Sequence, residues 1–148
     1  MGLDMYLSSR VYLSPYSNPE LRTSVLEVLG VTPLTDDCVA IDIPAAYWSK
    51  AKTIHDWFVN HVQDGNDNCG SYYVSRDQVT ELRDLCKDLL AGKADESALP
   101  PTEGFFFGST TDKDWYRTDL EDTVAQLDRA LALPVIAGCG DFHYHASW

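Results

Sequence analysis

Positive charge is what this sequence has least of. Lys and Arg number 11 against 23 Asp and Glu, for a net charge of −12. Binding to the outside of duplex DNA or to an anionic membrane requires basic patches, so neither is expected. An acidic chain is well solvated, and it can also occupy a partner's nucleic-acid groove as a mimic. Cysteine is sparse as well. Cys38, Cys69, Cys86 and Cys139 make no C-x-x-C pair, and no signal peptide precedes them, which predicts a reducing intracellular compartment. No apolar run approaches the roughly 20 residues that cross a bilayer. "MGLDMY" has Tyr6 where a myristoylation signal needs Ser or Thr. Neither G-x-S-x-G nor G-x-x-x-x-G-K-[ST] occurs, so the usual signatures of a serine nucleophile and a phosphate-cradling loop are missing. "DGNDNCG" sets Asp64, Asn66 and Asn68 at alternate positions, as calcium loops do. Cys69 and Ser75 then fill the places where an EF-hand needs Gly and Glu, which leaves an Asx-rich turn.

What the sequence does hold is apolar material for one domain. Its 148 residues are 45% hydrophobic and 11% aromatic, which excludes intrinsic disorder and suits a single α+β domain over residues 1–148. Leu3, Met5 and Leu7 alternate with Asp4 and Tyr6 as in a strand, which Val11 to Leu13 continue or pair against. Asn18, Pro19 and Gly30 bracket a short helix with Leu21, Val25 and Leu29 inward. "CVAIDIP" is expected as a buried strand stopped by Pro44. "YWSKAKTIHDWFVNHV" reads as one helix over 47–62. Its core stripe holds Tyr47, Ala51, Ile54, Phe58 and Val62, with Trp48, Lys52, His55 and Val59 on the neighbouring stripe. "SYYVS" is a strand, and Ser75 with Gln78 forms a capping box ahead of a helix that turns Val79, Leu82, Cys86 and Leu89 inward. "GFFFGS" is expected as a strand. Thr111 then opens a helix lined by Tyr116, Leu120, Thr123, Leu127 and Leu131, and "DFHYHASW" closes the chain as a strand. This order predicts a mixed or mainly antiparallel sheet with about four helices packed on it.

Two groups of residues carry candidate chemistry. His143 and His145 share one face of the last strand. Joined by His55, they would suit a transition metal and a metal-dependent hydrolase, with Asp4 or Asp64 as general base. The preferred reading has no metal and no cofactor. The second group is the aromatic supply: four Trp, eight Tyr and five Phe, several beside polar groups. Flat rings next to cations are how proteins hold bases and nucleotides.

The blocks "MGLDMYL", "YWSKAKTIHDWFVNHVQDGNDNC", "GFFFGST" followed by "DWY", and "HYHASW" resemble a family of small proteins encoded by phages, prophages and bacteria. The stretches 16–39 and 92–101 carry no such match. The resemblance implies a phage or prophage accessory protein in the cytoplasm of a bacterial host, countering host defence by sequestering a nucleotide-like signal or by plugging a defence protein. The matching blocks contain Asp4, Lys52, His55, Asp64, Cys69, Ser109, Asp114, Trp115 and Tyr116. On this reading catalysis is not the principal role. Trp48 and Trp115, with Tyr116 beside them, stack on rings, Lys52 and Arg117 pair phosphates, and His55 and Ser109 hydrogen-bond, all in one pocket. The rivals are the hydrolase and an acidic inhibitor that mimics nucleic acid. A homo-oligomer stays open.

Overall fold

The structure, a computed structural model, describes residues 2–102 and 113–148. The expected "GFFFGS" strand, Ser109 and Thr111 lie outside the described residues. Four strands form one antiparallel sheet: β1 (Asp4–Leu13), β2 (Val39–Ser49), β3 (Ser71–Val74) and β4 (Phe142–Ser147), in the order β2-β1-β4-β3. The helices are α1 (Pro19–Leu29), α2 (Lys52–His61), α3 (Arg76–Leu90) and α4 (Lys113–Leu131). The fold is α+β.

β1 continues without a break to Leu13, and its alternation decides the layering. Leu3, Met5 and Leu7 point to a core shared with Trp48 of β2, Val74 of β3, and Phe142 and Tyr144 of β4. Against them pack Ile54 and Phe58 of α2, Val79, Leu82 and Cys86 of α3, and Leu120 and Leu127 of α4. Each large side chain fully buried here stabilises the fold by roughly 1.5–3 kcal/mol. The capping box forms as expected: Ser75 Oγ accepts from the Gln78 N–H, and Gln78 Oε1 accepts from the Ser75 N–H.

Three expectations need correction. First, Pro44 does not stop a strand. β2 is an edge strand, where a missing N–H costs little, and the ladder passes it with a bulge at Ala45, since Leu7 pairs with Ala46 and Ser8 with Pro44. Second, Tyr47 and Trp48 belong to that strand and not to a helix. Tyr47 lies opposite Tyr6, Trp48 opposite Met5 and Ser49 opposite Asp4. The chain then reverses at Lys50, in the left-handed region at φ 64°, and α2 starts at Lys52. Tyr47 is therefore exposed, not core. Third, α1 packs lightly. Leu21 and Leu29 face solvent, and the buried residue is Arg22, whose Nη2 donates to the carbonyl of Asp37 at 3.2 Å. The "CVAIDI" half of β2 likewise lies on an arm that only β1 pairs, and it is not buried on both faces.

Candidate functional site

The residues expected to wall one pocket have separate duties. Trp48 is buried, and its Nε1–H donates to Thr123 Oγ1 of α4 at 3.0 Å. A ring sealed this way cannot stack on a ligand. Lys52 is tied to Asp56 one turn along α2. Tyr116 donates its hydroxyl proton to the carbonyl of Leu99 at 2.7 Å, tying α4 to the segment that follows α3. Arg117 pairs with Glu121 at 2.9 Å on the surface, and Trp115 stands 68% exposed on α4. Of this set, Trp115 alone keeps an open ring; Ser109 lies outside the described residues.

His55 is 1% exposed and hydrogen-bonded at both nitrogens. Its Nδ1 lies 2.7 Å from the Tyr144 hydroxyl, and its Nε2 lies 2.8 Å from Asp67 Oδ1. A carboxylate oxygen only accepts, so Nε2 carries the proton and the Tyr144 hydroxyl donates to Nδ1. The Tyr144 ring stacks on Phe58 at 3.9 Å, and Trp148 meets the His55 ring edge-on at 5.5 Å. Burial drives the Tyr144 phenol far above its ordinary pKa, with Asp67 and Asp56 adding to the effect. It therefore stays a neutral donor. This relay locks the α2–β3 loop onto the core, and neither imidazole nitrogen is left to take a substrate proton or bind a metal.

The three-histidine metal site is thereby corrected. Tyr144 points into the core to meet His55, so its neighbours His143 and His145 point to the opposite face of β4. Among the described residues, no group of three or more His, Cys, Asp or Glu is arranged to hold a metal ion. Cys86, buried in α3, is pushed up to about 12 by its burial and remains an unreactive thiol.

That opposite face is the one the sequence reading missed. Tyr6, Arg10 and Tyr12 of β1, Tyr47 of β2, Tyr73 of β3 and His145 of β4 all stand on the sheet side away from the helical core. Tyr6 is its centre. It lies between the ring of Tyr47, tilted at 5.3 Å, and that of His145, stacked within 21° at 6.1 Å. Tyr6 stays 44% exposed and Tyr47 48%. Two of the rings are pinned by carboxylates: Tyr47 donates to Asp4 at 2.6 Å and Tyr73 to Asp141 at 2.5 Å. Each carboxylate raises the phenol's pKa, so both hydroxyls keep their protons at neutral pH.

Arg10, a cation on this face, is already used. It grips Asp42 with two hydrogen bonds, at 2.6 and 2.9 Å, which lowers the carboxyl's pKa. His143 sits close by, edge-on to Tyr73 at 6.0 Å. Its pKa is lowered, first by burial and then by the Arg10 charge, so it stays neutral at pH 7. The face is thus ring-rich, its Arg10 is matched by Asp42, and among the described residues its one buried side-chain atom without a hydrogen-bond partner is His143 Nδ1. The alternation Asp4, Tyr6, Ser8, Arg10, Tyr12 was the available signal for it.

Comparison with protein-family models, curated proteins and solved structures finds no match, so the functional reading rests on this chain's own geometry. No described helix is long and apolar enough to cross a membrane.

Proposed function

We propose that this chain is a binding protein rather than an enzyme, and that its open sheet face holds a planar ligand of the nucleobase type. In the phage or prophage setting that its sequence resembles, it would act as an accessory protein that sequesters a nucleotide-like signal of host defence. The observation that carries this reading is the Tyr6 ring standing exposed between Tyr47 and His145. Pre-ordered rings lose little entropy when a further ring joins the stack, and each base–aromatic contact is worth about 1–3 kcal/mol.

The charge pattern supports recognition through the base end of a nucleotide. Arg10 is already neutralised by Asp42, and a net charge of −12 opposes polyanions. The base is therefore held and the phosphate is left in solvent. One base on two rings corresponds to a Kd between about 35 mM and 40 μM.

Thermal shift with the four common ribonucleosides and their 5′-monophosphates tests this. At concentrations above Kd, bound ligand raises Tm. At least one nucleoside should raise it, with its monophosphate no better, and Tyr6→Ala should abolish the rise. No rise with any nucleoside, or an equal rise in Tyr6→Ala, would contradict the assignment.

A further inference from the structure

α1 and the loop behind it form a second surface, independent of the aromatic face. An amphipathic helix of a globular chain ordinarily turns its apolar stripe inward and its charges out. Here Arg22 is buried, while Val28 is 86% exposed and Leu21 and Leu29 are also open to solvent. At helical spacing Leu21, Val25 and Val28 follow one another along one flank. Gly30, left-handed at φ 65°, ends the helix, and beyond it Val31 and Leu34 extend the open apolar surface. Single exposed aliphatic residues are ordinary, but three on α1 with two more in the loop behind it, all within residues 21–34, mark an interaction surface.

The charges around this surface choose the partner. Between Tyr16 and Cys38 the charged residues are Glu20, Glu27, Asp36, Asp37 and Arg22. All four acids are exposed, and the one base is buried. A second copy of the chain would bring carboxylates against carboxylates. A partner carrying aliphatic side chains ringed by Lys or Arg meets apolar with apolar and negative with positive.

We propose that the α1 surface, centred on Val28 and Leu34, docks a protein partner through a basic amphipathic helix. The carboxylates supply steering and the aliphatic groups supply the buried centre. Binding here uses none of the residues of the aromatic face, so either surface can fail without the other.

The test uses fluorescence anisotropy with two labelled synthetic helices of about five turns, one with leucine and lysine on opposite faces and one with leucine and glutamate. The full chain should bind the leucine–lysine helix at least tenfold more tightly than its counterpart. The double variant Val28→Ser with Leu34→Ser, which keeps every charge, should weaken that binding at least tenfold. Both positions are solvent-exposed, so the variant is expected to fold, and its melting curve checks this. Unchanged binding by the variant would mean bulk charge attraction alone and would overturn the proposal. So would sedimentation showing a dimer of the wild-type chain that the same variant dissociates, since a second copy would then cover the surface.

Discussion

At the scale of single residues, polar groups under the core do most of the specifying. The Asp67–His55–Tyr144 relay leaves no free nitrogen on the imidazole. Tyr144→Phe would strand Nδ1 as a buried acceptor, at a cost of about 1–3 kcal/mol. A melt should show Tm lower by several degrees with nucleoside affinity retained; an unchanged Tm would mean the relay does not hold the loop. Asp119 on α4 offers a pH signature. Burial, and then the nearby Asp122, push its carboxyl up to about 6, against about 3.9 in an unfolded chain. The folded state holds that proton more tightly, so stability falls as pH rises from about 4 through 6. Asp119→Asn removes the penalty. Its Tm should exceed the wild type's at pH 7.5 and show no gain at pH 4, whereas an equal effect at both would rule out titration as the cause.

At the scale of elements, the edge of the sheet is guarded by a side chain. Gln126 of α4 accepts from the Tyr47 N–H at 2.7 Å and donates to the Tyr47 carbonyl at 2.6 Å, acting as one residue of a missing strand. Asp122 accepts a further hydrogen bond from the Gln126 amide and fixes its orientation. Unpaired edges invite strand addition, so Gln126→Ala should lower stability by about 1–2 kcal/mol and increase self-association in light scattering. A variant that stays monomeric and fully stable would show the contact to be incidental. Some elements were legible from sequence alone. The capping box at Ser75, the inner face of α3 and the alternation of β4 depend only on neighbours along the chain, and all three appear as expected. The strand–helix boundary was not legible. Tyr47 fits the helical stripe of Ile54 and Phe58 and Trp48 that of Lys52 and His55, and the pairing with β1, about forty residues away, decided otherwise. The burial of Arg22 was hidden for the same reason.

At the scale of the whole molecule, one sheet separates two kinds of surface. Its inner face carries the packing of α2, α3 and α4, and its outer face presents rings. Beyond the alternation of β1, the outer cluster could not be read from the chain, because Tyr6, Tyr47, Tyr73 and His145 come from four strands and meet only through the register. The aromatic excess was visible; its location was not, and Trp48 and His55, which drew attention in the sequence, turned out to be internal supports. The most direct check of the central claim is a ¹H–¹⁵N correlation spectrum of the labelled protein, titrated with the nucleoside that stabilises it most. The account predicts saturable shifts centred on Tyr6, Tyr47 and His145, with the His55 amide and the buried Trp48 indole N–H still. Shifts centred on α2 and α4, or none up to saturating nucleoside, would contradict it.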